Sequence, residues 1–103
     1  MLSERARLYL KLLVLDAIGC AIGSLGSEST GFLRAQTEDF GGASHCVLIG
    51  GGKTAPDRAG FYNAALIRYL DFNDGYMGRL ATSHPSDNLA GVLAAAEYVG
   101  ANG

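Results

Sequence analysis

The densest group of polar side chains that can do chemistry lies between residues 71 and 88. It contains Asp71, Asn73, Asp74, Arg79, Ser83, His84, Ser86, Asp87 and Asn88. Binding and catalytic groups concentrate on loops between regular elements. An imidazole titrates near neutral pH, and the following Pro85 restricts the backbone of His84 to an extended shape. We therefore predict that His84 is an acid or a base in catalysis.

A structural interpretation of the same residues is also open, and composition alone favours it. Asp71, Asp74 and Asp87 are of a type common in turns and in the first turn of helices, where the helix dipole favours a negative charge. His84 is equally suited to cap the fourth predicted helix. The second histidine, His45, is expected to be a surface residue at the start of a short strand rather than a ligand.

The first of four predicted helices runs from Glu4 to about Leu25. Its apolar stripe repeats at three- and four-residue steps through Leu8, Leu12, Leu15, Ile18 and Ile22. Its apolar run resembles a secretory signal, but Lys11 and Asp16 interrupt it, so we expect a mature, buried helix that does not span a membrane. Because it is apolar over most of its circumference, it needs cover from a larger protein or an oligomer.

Three further helices are expected to frame the polar loop. The second runs from about Thr30 to Phe40 and ends at two glycines. The third begins near Pro56, after a capping-box-like Thr54, and reaches about Leu70. The fourth begins at Pro85 and carries an apolar face of Leu89, Val92, Leu93, Ala96 and Val99. Residues 45–49 are the only strand candidate, so the fold class is mainly α, with about four helices and one short strand-like segment.

Composition limits the classes of function. The chain is 49% hydrophobic and 17% charged with a net charge of -2, which indicates one domain over residues 1–103 and no nucleic-acid-binding face. Cys20 and Cys46 lie in apolar stretches without CxxC spacing, so we expect a buried, reduced pair that suits the cytoplasm. The histidines and cysteines have no metal-ligand spacing, and we predict no metal, iron–sulfur cluster or other cofactor.

A glycine-rich segment, Gly50–Thr54, offers a rival motif. It follows a strand, precedes a helix and ends like a phosphate-binding loop. The pattern lacks its first glycine, because Val47 stands there, and Pro56 interrupts the following helix almost at once. A structural turn is therefore favoured over a nucleotide site.

Several segments together resemble the MmgE/PrpD family over nearly the whole chain. The most specific are the DFND and HPSDN motifs within 69–74 and 84–89, and further similarity extends over 15–21, 61–68 and 94–97. The resemblance is strongest to the members that remove water from 2-methylcitrate to form 2-methylaconitate in propionate breakdown. It implies an all-helical domain paired with a smaller α+β domain, and a homodimer that works without an iron–sulfur cluster.

By residue, the resemblance places Asp71 and His84 at active-site positions of the family. Gly75 departs from it, since many relatives have threonine there. Family members are several times longer, so the chain is expected to be a helical-domain fragment that is inactive alone. Two other classes stay open: a related enzyme that decarboxylates or epimerises a similar acid, and a non-catalytic packing or dimerisation remnant.

Dehydration of a hydroxy-tricarboxylate needs a base, an acid for the departing hydroxide, and groups that hold the carboxylates. We expect His84 to exchange the proton and Asp71 to orient it. The predicted substrate-binding residues are Arg79, Ser86 and Asn88, aided by amides at the start of the fourth helix. Arg68 is an equal candidate for a structural partner of Asp71 or of Asp74.

Overall fold

The computed structural model describes residues 1–102; Gly103, the last residue of the predicted domain, lies outside them. The prediction of a mainly α fold is confirmed. The helices are α1 (Glu4–Ser24), α2 (Glu28–Phe40), α3 (Pro56–Arg68) and α4 (Leu89–Val99). The strands are β1 (Cys46–Val47), β2 (Lys53–Thr54), β3 (Tyr76–Met77) and β4 (Thr82–Ser83), and a 3-10 turn spans Pro85–Asn88.

Helix α3 is the centre of the fold and packs against α1 on one side and α4 on the other. Its buried residues are Ala59, Tyr62, Leu66 and Ile67. Contact with α4 is close because both helices carry glycine there. A Cβ added to Gly60 would lie 3.7 Å from the Cα of Gly91. Small residues therefore allow α3 and α4 to approach closely at this point.

Helix α1 buries small residues rather than the leucines of its predicted stripe. Its buried residues are Ala17, Cys20, Ala21 and Ser24, all in its C-terminal half. The Ser24 hydroxyl donates to the Leu66 carbonyl oxygen at 2.9 Å, which ties α1 to α3. The leucines of the predicted stripe are more than half exposed. They stay exposed because α3 packs against the small side chains of α1, and they form the surface that was expected to need cover from a larger protein or an oligomer.

The same correction applies to α4. Its buried residues are Ala90 and Ala94, whereas Val92, Leu93 and Val99 of the predicted apolar face are exposed. Alanines lie at this contact because larger side chains would keep the axes of α3 and α4 further apart. Helix α4 ends at Gly100, which adopts the left-handed conformation typical of a C-terminal cap.

The single strand expected over residues 45–49 is also corrected, because within residues 1–102 four two-residue strands form two antiparallel hairpins. In the first hairpin Cys46 pairs with Thr54, and in the second Tyr76 pairs with Ser83. Thr54 belongs to β2, so it does not cap α3. The N-cap residue of α3 is Ala55, which makes no side-chain capping bond.

The glycine-rich segment Gly50–Thr54 forms the turn of the first hairpin and the start of β2. Gly50, Gly51 and Gly52 all have positive φ, which side-chain-bearing residues rarely adopt. Inside the turn, the amide of Gly51 donates to the Leu48 carbonyl oxygen at 2.9 Å. The segment therefore has the structural role that the sequence favours, and it leads into a strand rather than a helix.

Among residues 1–102, no single helix is long and apolar enough to cross a membrane. Helices α1 and α2 together reach the required length and composition, but their axes are bent by 92° at the break between them.

Candidate active site

The loop from α3 to α4 is held in place by Arg68, the last residue of α3. Its Nη2 lies 3.1 Å from Oδ1 of Asp71, and its Nη1 donates to Oδ1 of Asn73 at 3.1 Å. On the far side of the loop, its Nε lies 3.2 Å from Oδ1 of Asp87. One guanidinium therefore joins the beginning of the loop to its end. Asp71 and Asp74 were the two expected partners of Arg68. The structure shows the ion pair with Asp71.

Two residues form the sharp turn that leaves α3. Asp71 has φ of 55°, a left-handed backbone that asparagine and aspartate tolerate better than most side chains. The side-chain Nδ2 of Asn73 donates to the Ile67 carbonyl oxygen at 2.9 Å and so satisfies a free carbonyl at the end of the helix. The side chain of Asp71 is 81% exposed beside Arg68. The turn therefore presents the Asp71 carboxylate to solvent.

His84 is half-buried and fixed by a backbone contact. Its Nδ1 lies 2.6 Å from the carbonyl oxygen of Asp74. A carbonyl oxygen only accepts hydrogen bonds, so Nδ1 must carry the hydrogen. In the neutral imidazole this leaves Nε2 unprotonated and able to accept a proton. The structure therefore gives His84 the tautomer of a base acting through Nε2.

Asp74 supports His84 a second time, through its side chain. Both carboxylate oxygens accept from the amide of Ser86 at 3.2 Å. The backbone of Asp74 thus holds the imidazole, while its carboxylate holds the turn that follows His84. The expected orienting residue, Asp71, is paired with Arg68 instead. The sequence predicted Asp74 as a turn acid or a partner of Arg68 and did not link it to His84, although its position in the DFND motif was a usable signal.

The start of α4 differs from its prediction. Pro85 opens the 3-10 turn rather than the α-helix, and His84 precedes that turn without a side-chain capping bond. The amides expected to receive a substrate carboxylate are already engaged. The Ser86 amide is bound to Asp74, and the Asp87 amide donates to the His84 carbonyl oxygen at 3.0 Å. These two amides hold the loop together.

The three predicted substrate-binding side chains occupy different surroundings. Arg79 is exposed in the turn between β3 and β4, which the amide of Gly78 closes by donating to the Ala81 carbonyl oxygen at 2.8 Å. Ser86 is buried, and its Oγ has no hydrogen-bond partner within residues 1–102. Asn88 is exposed directly before α4. Ser86 and Asn88 line one cavity of about 220 Å³ with Asp74, while Arg79 lies outside it.

Gly75 leaves open space beside the candidate site. A Cβ added there would meet no heavy atom within 4 Å, and its φ is not in the left-handed range. A threonine, as the resemblance leads one to expect, would fit without strain at the Cβ position. The packing around position 75 therefore does not require a glycine there.

Both cysteines are buried and free, as predicted from their apolar surroundings. Burial raises the pKa of the Cys20 thiol, and the negative charges of Asp16 and Asp74 add to the effect. Burial likewise raises the pKa of the Cys46 thiol. Both thiols therefore stay protonated near neutral pH and are poor nucleophiles. Within residues 1–102 no group of three or more histidine, cysteine, aspartate or glutamate side chains is placed to hold a metal ion.

Comparison with known proteins decides the family. The model of the MmgE/PrpD N-terminal domain matches residues 1–103. The chain belongs to the MmgE/PrpD family. This confirms the resemblance read from its motifs, and it places the His84 loop in the N-terminal domain of that family.

The curated relatives carry one name. The 2-methylcitrate dehydratase of Cupriavidus necator is 31% identical over 97 residues, covering 86% of this chain and 19% of that protein. The 2-methylcitrate dehydratase of Escherichia coli (strain K12) is 33% identical over 91 residues, with 86% and 19% covered. That of Salmonella typhi is 47% identical over 47 residues, which cover 46% of this chain and 10% of the relative.

The chain spans about one fifth of the length of the first two relatives. No solved structure is significantly similar to it.

Proposed function

We propose that this MmgE/PrpD chain supplies the His84 loop to a hydro-lyase that removes water from 2-methylcitrate to form 2-methylaconitate. The observation that carries the proposal is the contact between Nδ1 of His84 and the carbonyl oxygen of Asp74, which leaves Nε2 ready to exchange a proton. The names of the relatives support the choice of substrate.

In this reaction His84 acts as the proton-transfer residue. Elimination breaks a C–H bond beside a carboxylate and a C–O bond. Nε2 of His84 takes the proton from the C–H bond, and the imidazolium so formed gives a proton to the departing hydroxide, which leaves as water. Nε2 is the nitrogen that meets the substrate, because Nδ1 is held by the backbone. The half-buried imidazole keeps its orientation through two neighbouring constraints, the Asp74 contact and the restricted backbone before Pro85.

Asp71 is the second residue that the proposal places at the substrate. Its carboxylate is 81% exposed, so it can reach a bound substrate, while Arg68 fixes its position at 3.1 Å. In this arrangement Arg68 is a positioning residue. Because it also contacts Asn73 and Asp87, a change at Arg68 would disturb both ends of the loop.

Binding the substrate requires more positive charge than this loop carries. A tricarboxylate brings three negative charges to a loop that already holds Asp71, Asp74 and Asp87. Arg68 is committed to partners within the chain, which leaves Arg79 as the exposed cation of the loop. We therefore expect Arg79, Ser86 and Asn88 to contact the substrate together with groups from further polypeptide in a homodimer. The isolated chain is expected to be inactive.

A packing or dimerisation role is the second candidate, and the exposed leucines of α1 favour it. It differs from the first in requiring no chemistry at His84. The related decarboxylase and epimerase activities differ in their products, which are carbon dioxide and a stereoisomer.

The test is a chimaera in which residues 1–103 replace the matching segment of the Escherichia coli (strain K12) relative. We expect it to convert 2-methylcitrate to an unsaturated tricarboxylate, followed by the ultraviolet absorbance of the new double bond. Mass spectrometry separates loss of water from loss of carbon dioxide and from epimerisation. A folded, dimeric chimaera without any product would contradict the dehydratase proposal and favour the packing role.

A further inference from the structure

We propose that a second site, between the end of α2 and the start of α3, binds a small ligand with a carboxylate on a planar apolar group. The site is a cavity of about 350 Å³, a size that suits small molecules. It is lined by Gln36, Thr37, Phe40, Asp57, Arg58 and Phe61.

The guanidinium of Arg58 is the anion-binding group of the cavity. Its Nε is buried and has no hydrogen-bond partner within residues 1–102. The carboxylate oxygen nearest to its Nη1, Oδ1 of Asp57, is 3.9 Å away, which is too far for a hydrogen bond, and the Asp57 side chain is 76% exposed. A buried donor without a partner is costly. A carboxylate in the cavity would accept from the terminal nitrogens of the guanidinium, and its negative charge would stabilise the partly buried cation.

Two phenylalanines give the cavity aromatic walls. The guanidinium carbon of Arg58 lies 5.6 Å from the ring centroid of Phe40. Phe40 and Phe61 are 60% and 61% exposed, so their rings are open to a ligand. A planar apolar group fits between or against such rings by stacking or edge contacts. The proposed ligand therefore carries both a planar apolar group and a carboxylate.

The backbone makes room for the arginine. Gly42 has φ of +117°, and a Cβ there would lie 3.2 Å from Nη1 of Arg58 and 3.0 Å from the Cβ of Ala55. A side chain at position 42 would thus crowd the guanidinium. The start of α3 lacks a side-chain cap, so the dipole of this helix adds to the attraction for an anion.

This site is separate from the His84 loop and does not depend on the dehydratase proposal. Arg58 lies near the first turn of α3 and Arg68 at its end. Ten residues of helix place them about 15 Å apart along the axis.

The probe is benzoate, with neutral benzamide as the matched control of nearly the same shape. Saturation-transfer NMR on the full chain should show benzoate binding with a dissociation constant on the order of 1 mM, and little binding of benzamide. Arg58→Gln should weaken benzoate binding about tenfold or more, the usual effect of losing hydrogen bonds to a charged group. Arg7→Gln, which removes an exposed arginine on α1, should bind benzoate as the parent does.

A second measurement covers the case in which Arg58→Gln fails to fold. In the parent chain labelled with ¹⁵N, the Nε–H resonance of Arg58 should shift saturably with benzoate and stay unchanged with benzamide. The proposal is overturned if that resonance does not move, if benzamide binds equally well, or if folded Arg58→Gln retains full affinity. Absence of benzoate binding up to about 10 mM would also overturn it.

Discussion

The imidazole Nδ1 of His84 lies 2.6 Å from the backbone carbonyl oxygen of Asp74, ten residues earlier in the chain. The contact joins the first motif of the loop, DFND, to the second, HPSDN. Because the acceptor is a backbone atom, substitution of the Asp74 side chain leaves the acceptor in the chain. The orientation of His84 therefore depends on the path of the loop more than on any one side chain.

The tautomer of His84 is the first testable consequence. In the neutral ring the proton should reside on Nδ1, since the carbonyl oxygen requires a donor. Two-dimensional ¹⁵N NMR of the imidazole distinguishes a protonated nitrogen from one with a free lone pair. His45, which is exposed and forms a T-shaped pair with the Tyr98 ring, is the internal reference. A proton found on Nε2 of His84 would remove the basis for its role as a base.

Loss of the His84 imidazole should mainly affect turnover. In the active chimaera, His84→Ala is expected to lower kcat by about 10² or more, the usual scale for a general acid or base, with a smaller change in KM. His45→Ala is the matched control and should retain normal kcat. If His84→Ala kept near-normal turnover and only unfolded more easily, the residue would be structural, and Asp71 would be the next residue to test.

Removal of the Asp74 carboxylate should destabilise the loop. Asp74→Ala leaves the Ser86 amide without its acceptor, as in the loss of a helix cap, and should cost about 1 kcal/mol. For a chain of this size this corresponds to a fall in Tm of about 4–8 °C. Asp39→Ala, which removes an exposed carboxylate near the end of α2, should change Tm little. Equal Tm values for the two variants would show that the Asp74 contact does not stabilise the fold.

Self-association is expected from the exposed apolar side of α1. Leu8, Leu12, Leu15 and Ile22 are each more than half exposed along one helix, and such patches favour association. Light scattering at micromolar concentration should therefore detect oligomers of the chain. Replacing Leu8, Leu12 and Leu15 with glutamine should reduce them, whereas Arg7→Gln should not. A monodisperse monomer of the parent chain would contradict this expectation.

The two buried thiols predict a pH dependence of stability. Burial raises the pKa of Cys20 and of Cys46 above the ordinary value of 9.0, so the folded state disfavours the thiolate more than the unfolded chain does. Stability should thus be fully present below about pH 9 and should fall as the pH rises beyond it. Urea unfolding between pH 8 and pH 10.5 should show a smaller fall for the Cys20→Ala/Cys46→Ala variant. The same pH slope in both proteins would argue against the raised pKa values.

The sequence by itself determined the features that depend only on residues close together in the chain. Proline in the first turn correctly predicted where α3 begins. Apolar surroundings correctly predicted two buried cysteines. The grouping of polar residues between the last two helices located the candidate site and the MmgE/PrpD motifs, because loop composition is visible without any knowledge of packing.

Only the tertiary structure decided which helix faces meet and which residue holds His84. The large apolar side chains of α1 and α4 were predicted to be buried, but α3 packs on Ala17, Ala21, Ala90 and Ala94 instead. Periodicity reports hydrophobicity, whereas contact also depends on how closely two axes can approach, which small residues permit. In the same way, the bond from His84 to Asp74 depends on a backbone path closed by Arg68 and the second hairpin, and no local sequence pattern specifies such a path.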